Sequence, residues 1–596
     1  MPDLQKPALT RQDWLWILAA WAIAVATLVY KVFFSNSNGP FFADTDDAMR
    51  MVVVRDLTAG QNWYDLVQHR LNTPYGAEIH WSRLVDLPIA ALVMAASLFA
   101  DPRMAAMIAG TIWPLLLVGT LLWLSARVAF ELVGREGLLP ALVLPILSPA
   151  VLAEFNPGRI DHHGVIIVLT MACLLASLVA LRRPLAAWLA GVVAATALAV
   201  ALEAAPLVVA AVLAFGLAYV ADPARAANLR RFGLALAGGL AVHLALARPP
   251  SRWLEAACDM ISPVFVLAGL GVGLAYLVVS VLPPPRQAWQ RLALLGALGI
   301  AAVAVVVLAY PQCLAGPYGS LDPWLQENWI AVIVEAKPWH ASLFELPVYA
   351  ITVAAPVFLG LLATAAALVR DRERRMGWLT VLVFLACAAL VMLTQIRGAR
   401  LAILPAIPAA AWLIVRARAV YLDRPRIVSA LGLVGSWLVF SGVILSMLVS
   451  LVVDLLPDGR AQAVAQTRAS KQPCLVSDSF ADLRALPPER IMTPIDLGSH
   501  MLLETPHEVV AAPYHRNEDG VLDAFRFFNR SADEAREIAR VRGLGLLVTC
   551  PAMPEMRGAG LDVPGTLSNL LAAGTPPDWL EDVSTSGPLK VYAILP

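Results

Sequence analysis

Long apolar runs alternate with short polar breaks from Trp14 to about Leu456. Most runs are close to 20 residues, the length an α-helix needs to cross a bilayer. The pattern predicts thirteen spans, at about 14–34, 104–126, 137–155, 163–181, 184–202, 205–221, 232–248, 262–282, 290–310, 346–369, 377–394, 401–417 and 427–455. The stretch 86–100, "DLPIAALVMAASLFA", is apolar but short, and reads as an interfacial or re-entrant helix. From Pro457 the pattern changes to short runs separated by turns. "CLVSDS", "RIMTPID", "EVVAAP" and "GLGLLVTC" read as buried strands. "ADLRAL", "SHMLLE", "GVLDAFRFF" and "SADEAREIARV" read as helices, the last with a capping box of Ser531 and Glu534. The expected organisation is a polytopic α-helical membrane domain, 1–456, followed by an α/β domain, 457–596, with a mostly parallel sheet.

Composition agrees: 59% of the 596 residues are hydrophobic and 15% charged, against roughly 45–50% and about 25% in soluble domains. The formal net charge is zero, which gives no ground for nucleic-acid binding. The placement of charge is informative. With Lys6 and Arg11 in the cytoplasm, alternate loops on that side read "RVAFELVGRE", "LRRP", "DPARAANLRR", "PPPRQAWQR", "RDRERRM" and "RARAVYLDRPR". All are basic, as the positive-inside rule requires. Counting 86–100 as a span reverses this order. The opposite loops, among them 35–103, 156–162, 249–261, 311–345 and 395–400, then face the periplasm together with the C-terminal domain.

The outer loops gather acids, imidazoles and arginines. Asp44, Asp46 and Asp47 follow the first span; Asp161, His162 and His163 open the fourth; Glu335 lies in 311–345; Arg397 and Arg400 begin the twelfth. Unpaired charge at membrane depth is costly and marks function. Carboxylate and imidazole at one interface suit Mg²⁺ or Mn²⁺, and arginine suits phosphate. The first outer loop adds Trp63, Tyr64, His69, Arg70, His80, Trp81 and Arg83, aromatic faces beside hydrogen-bonding groups, as a sugar ring requires. Trp81, Arg83, His515 and Arg516 are candidate acceptor contacts. Cys258, Cys313, Cys474 and Cys550 face the oxidising side. A Cys474–Cys550 bridge is open to the chain, although spacing alone fixes no connectivity.

In this order the motifs resemble the catalytic subunit of oligosaccharyltransferases and, more widely, the GT-C membrane glycosyltransferases. Four motifs carry the resemblance: "DTD" at Asp44–Asp46, "PGRIDHHG" around Asp161 and His163, "VIVE" ending at Glu335, and "ARLAILPAIP" with Arg400. The resemblance implies thirteen spans, two long external loops and an external C-terminal domain. It also implies Asp46, Asp161 and His163 as metal ligands, Glu335 joining the external loop to that site, Arg397 and Arg400 on a lipid-linked donor's phosphate, and Asp44 near the acceptor. The expected activity is transfer of a sugar or oligosaccharide from a polyprenyl-(pyro)phosphate carrier at the outer face of a bacterial inner membrane. Protein N-glycosylating members carry "WWDYG"; here "TPIDLGSHMLLETPHEVVAAPYHRN" stands in its place, keeping only Asp496 and Gly498. That departure points to an acceptor other than the Asn-X-Ser/Thr sequon, whether lipid, polysaccharide or protein. A transporter or flippase of lipid-linked saccharides is the alternative reading; it calls for internal repeats, and the sequence has none.

Overall fold

The computed structural model describes residues 9–35, 39–453, 471–551, 553, 563–585 and 587–596. Lys6 and the expected domain boundary at 456/457 lie outside these residues. Among them, ten helices are long and apolar enough to cross a membrane: Arg11–Ser35, Pro102–Leu132, His163–Ala180, Leu202–Ala221, Pro223–Ala247, Pro263–Val281, Ala288–Ala309, Pro347–Arg370, Arg375–Thr394 and Ile396–Asp423. Two bent helix pairs and the shorter apolar helix Ala186–Val200 complete thirteen apolar segments. The chain is a polytopic helical membrane protein with a small C-terminal sheet domain.

The bent pairs correct two expected straight spans. Arg135–Ile146 and Pro149–Phe155 meet at 68°, and Ile427–Leu438 and Gly442–Val453 meet at 95°. The first break has a local cause. Ser148 precedes Pro149 and takes an extended conformation (φ −106°, ψ 100°), because the proline ring disfavours helix in the residue before it. The two breaks then satisfy each other: Val443 N–H donates to Leu147 O at 2.9 Å. A backbone carbonyl freed at membrane depth is thereby paired within the protein. The short run at 86–100 falls in the helix Arg83–Ala96 and the turn that follows it. It buries Val85, Ile89 and Val93 and leaves Leu87 and Met94 exposed.

The C-terminal sheet has five strands: β3 (Arg490–Met492), β4 (Glu508–Val509), β5 (Leu546–Thr549), β6 (Leu580–Asp582) and β7 (Lys590–Ile594). A separate antiparallel pair, β1 (Val67–Gln68) and β2 (Ala77–Glu78), lies between the first two long apolar helices. The five run in the order β4-β3-β5-β7-β6. β3 pairs parallel with β4 and β5, whereas β7 pairs antiparallel with β5 and β6. The sheet is therefore mixed, not mostly parallel. "CLVSDS" is not a strand. Gln472–Cys474 and Ser477–Phe480 are 3₁₀ turns: Pro473 has no N–H for a ladder, and Ser477 Oγ donates to Glu504. The helices Ile495–Glu504, Glu518–Asn529 and Ala532–Arg542 form where expected. Ser531 caps the last, accepting from Glu534 N–H at 3.3 Å. Cys474–Cys550 is a disulfide, and Cys258–Cys313 is a second.

The C-terminal domain is seated on the loop between the first two long apolar helices. Thr73 N–H donates to Val509 O at 3.2 Å and Val509 N–H to Arg70 O at 2.8 Å, so the loop covers the β4 edge that would otherwise stand unpaired. Arg70 also donates to Leu502 O, Thr505 O and His507 O. Helix Ile495–Glu504 packs against helix Thr45–Thr58, and Arg55 donates to Leu503 O at 2.7 Å.

Candidate active site

Two helix N-termini bring the acids together. Asp44 caps the helix Thr45–Thr58, accepting from Asp46 N–H at 3.0 Å. Asp161 Oδ1 accepts from His163 N–H at 2.9 Å as the helix His163–Ala180 begins. Carboxylates are favoured at both places by unsatisfied N–H groups and the helix dipole. Asp47 joins the two: its Oδ1 accepts from Ile160 N–H at 2.7 Å and Asp161 N–H at 3.0 Å. The turn between depends on Gly158, at φ +93°, where a Cβ would lie 2.0 Å from Phe41 O. We expect Gly158→Ala to displace Arg159 and reduce folded protein, read as monodisperse material on gel filtration in detergent.

Arg159 stands at the centre of the acids. Its Nη1 is 2.9 Å from Asp44 Oδ2 and 2.9 Å from Asp47 Oδ2. Its Nη2 is 2.9 Å from Glu154 Oε2 and 2.8 Å from Asp161 Oδ2. His163 then links two acids, with Nδ1 2.6 Å from Asp161 Oδ2 and Nε2 3.3 Å from Glu203 Oε2. The arginines complete the ring. Arg400 Nη1 lies 2.9 Å from Glu154 and its Nη2 3.3 Å from Glu335; Arg397 Nη1 lies 3.5 Å from Glu203. Burial opposes ionisation of Asp161, but Arg159 and then His163 outweigh it and hold the group well below the usual carboxylate range. Asp46 differs: desolvation, then the Asp44 and Asp161 charges, push it up to about 7.

A cavity of about 600 Å³ opens on this ring. Asp46, His163, Glu335, Arg397 and Arg400 line it, as do Trp81, Arg83 and His515. Asp44 is not among the lining residues; capping and Arg159 occupy it. Glu335 meets the ring through Arg400 and is not a donor beside Asp161. Arg516 is not a lining residue either. It pairs with Asp259 through Nε at 2.7 Å and also with Glu78, which makes it a fastener of the C-terminal domain. Trp81 is buried and packs edge-on against Tyr514, at 5.4 Å between centroids. Arg83 is buried and donates to Asp65 O at 2.6 Å.

The motifs alone did not mark Glu154, Arg159 or Glu203. Glu203 had a usable signal, an acid set between two apolar runs. The metal implied by the motifs can be tested against the donors present. Glu154, Asp161 and His163 each offer a ligand atom within 4.8 Å of the others, as do His162, His163 and Glu203. Seven carboxylates (Asp44, Asp46, Asp47, Glu154, Asp161, Glu203, Glu335) face three guanidinium groups (Arg159, Arg397, Arg400). The negative excess and the mixed oxygen and nitrogen donors fit a divalent cation.

No family model and no curated protein matches the sequence. Solved structures do match. The archaeal oligosaccharyltransferase AglB from Archaeoglobus fulgidus, in complex with an inhibitory peptide and a dolichol-phosphate, aligns over 98% of this chain and 75% of its own, with a TM-score of 0.65 and 15% identity. An A. fulgidus oligosaccharyltransferase tethered to an acceptor peptide containing the NVT sequon aligns over 100% and 75%, with a TM-score of 0.60 and 14% identity. One in complex with Zn and sulfate aligns over 89% and 68%, with a TM-score of 0.56 and 13% identity. The fold is that of these A. fulgidus oligosaccharyltransferases.

Proposed function

We propose that the chain is a glycosyltransferase that moves a sugar or oligosaccharide from a polyprenyl phosphate or pyrophosphate carrier to an acceptor. The reaction takes place at the periplasmic face of a bacterial inner membrane, with the N-terminus in the cytoplasm. The observation that carries the reading is one cavity lined by Asp46, His163, Glu335, Arg397 and Arg400, backed by Glu154 and Asp161. The fold of the A. fulgidus enzymes supports it.

Each residue has work to do. Arg397 and Arg400 turn their remaining N–H donors to the carrier's phosphate, where guanidinium gives fixed charge and paired hydrogen bonds. The acceptor nucleophile forms a bond to the anomeric carbon as that carbon's bond to the carrier's phosphate oxygen breaks, and the polyprenyl (pyro)phosphate leaves with the electron pair. Asp46, which faces the cavity where Asp44 does not, receives the acceptor's proton. Trp81 offers an apolar face to a sugar ring. Glu154, Asp161 and His163 would hold Mg²⁺ or Mn²⁺, with Asp46 beside them, and the ion would supply positive charge against the departing phosphate. Fixed charge aimed at the place where negative charge develops is commonly the largest catalytic contribution. The missing "WWDYG" supports an acceptor other than the sequon, whether lipid, polysaccharide or protein; in its place stands helix Ile495–Glu504, whose Asp496 is paired with Lys471 at 2.8 Å.

The test is transfer of sugar from a radiolabelled polyprenyl-linked donor by the purified protein in liposomes of envelope lipid. Wild type should transfer label, and Arg400→Gln should cut kcat/KM about 100-fold. Equal transfer by both would remove Arg400 from the donor site. No transfer by wild type, with saccharide moved intact across the bilayer, would favour a flippase.

A further inference from the structure

A second group of potential ligands lies in the same cavity, on the wall where the C-terminal domain meets two other segments of the chain. His80 follows β2, Asp259 follows Cys258, and His515 opens the turn His515–Asn517. All three line the cavity. One ligand atom from each lies within 4.8 Å of the others. His515 Nε2 is 2.7 Å from Asp259 Oδ2, and the two imidazole rings are 4.6 Å apart between centroids. His80 has ring contacts with Trp81 and His515 but no hydrogen bond to another described residue. A half-buried imidazole beside a carboxylate and a second imidazole, with its own polar atoms unused, has the make-up of a transition-metal ligand set.

The surroundings hold that geometry. Arg516 grips Asp259 through Nε at 2.7 Å and Nη2 at 2.8 Å, and it also pairs with Glu78, two residues before His80. Arg252 Nη1 reaches Glu78 at 2.6 Å. The Cys258–Cys313 disulfide fixes the residue next to Asp259 to the long loop 311–345. A carboxylate oriented by a fixed guanidinium still has lone pairs for a metal, and such outer partners are what keep metal ligands in place.

We propose that His80, Asp259 and His515 form a transition-metal site of the zinc class, separate from the Glu154–Asp161–His163 group. The ion fastens the C-terminal domain to the first outer loop and to 249–261, and its fourth position faces the cavity. Two imidazoles and one carboxylate form a three-ligand set that leaves zinc a coordination position open. Mg²⁺ prefers the oxygen-rich group, so the two sites differ in the metal they select. On binding, the N–H that His515 Nε2 donates to Asp259 Oδ2 is given up and the imidazole carries its proton on Nδ1 instead, which frees the Nε2 lone pair and an Asp259 oxygen for the metal. Because three chain segments meet at the ion, binding stabilises their docking by mass action.

The experiment uses the full chain, purified in detergent and stripped with EDTA. Co²⁺ is titrated as a spectroscopic probe and Zn²⁺ as a competitor, in an Asp161→Asn/His163→Ala background that disables the first group. One Co²⁺ per chain should bind with the intense visible absorption of a four-coordinate ion, and Zn²⁺ should displace it and raise the thermal midpoint. His80→Ala and His515→Ala should each lower Co²⁺ affinity at least 10-fold and abolish the midpoint rise. If the double background does not fold, metal content of the otherwise wild-type chain after Zn²⁺ loading gives the answer: His80→Gln should hold one ion fewer. A site that binds as tightly without His80 and His515, or a parent that binds no Co²⁺, overturns the proposal. None of these readouts depends on sugar transfer.

Discussion

Asp161→Asn should leave the protein folded and abolish sugar transfer. Asp161 Oδ2 is where Arg159 Nη2 (2.8 Å) and His163 Nδ1 (2.6 Å) meet, while Oδ1 accepts from His163 N–H. Asparagine keeps the shape and the oxygen that accepts from His163 N–H but removes the charge. An amide placed between a guanidinium and an imidazole has one oxygen to offer where the carboxylate offered two, and it is a poor ligand for a hard cation. Outer partners of metal ligands already cost about 10–100-fold when removed, so loss of this inner carboxylate should cost at least about 100-fold. Asp44→Asn should cost less, because Arg159 keeps Asp47, Glu154 and Asp161. The check is complementation of a deletion strain, with mass spectrometry of glycans on envelope lipids, polymers and proteins, and immunoblotting of membrane levels. Restored glycans with Asp161→Asn would contradict the role.

The second large effect is on stability. Arg50 Nη1 lies 2.5 Å from Asp86 Oδ1, and both side chains are 1% exposed. The pair joins helix Thr45–Thr58 to helix Arg83–Ala96, and the guanidinium lies 4.5 Å over the Trp81 ring. Arg83 Nη1 is also 3.5 Å from Asp86. Asp86→Ala strands two buried cations, and breaking a buried pair from one side costs about 3–5 kcal/mol. The thermal midpoint of purified protein should fall steeply, and Trp81 should lose its fixed place at the cavity. The double variant Arg50→Met/Asp86→Leu should recover part of the loss, since well-packed apolar groups replace buried pairs at little cost. A single variant as stable as wild type would show that the pair is not what joins these helices.

The spans were readable because runs of about 20 consecutive apolar residues seldom occur outside membrane helices. Their bends were not, because a break such as Leu147–Ser148 becomes tolerable only when Val443 arrives to pair it. Asp161 and His163 were readable as ionisable groups at the mouth of a span. Glu154 and Arg159 were not, because each alone looks like a polar residue in a turn; Glu203 showed only as an acid between two apolar runs, and only the folded chain sets the three around one point. The same holds for Arg516, whose sequence neighbourhood gives no sign of Asp259 or Glu78. In the C-terminal domain β3, β4 and β5 announced themselves as buried apolar runs. β6 and β7 did not: "LED" is short and mostly exposed, and "KVYAI" pairs antiparallel across a return that no local motif marks.

The most direct test of the site is carrier release. The purified chain is reconstituted in proteoliposomes with a polyprenyl-phosphate-linked sugar and an envelope extract as acceptor, and free polyprenyl phosphate is quantified by mass spectrometry. The wild-type protein should release carrier with Mg²⁺ or Mn²⁺ present and stop on chelation, and Asp161→Asn should release none above background. Equal release from the two proteins would contradict the assignment of this ring of acids, imidazole and arginines as the place where the sugar changes hands.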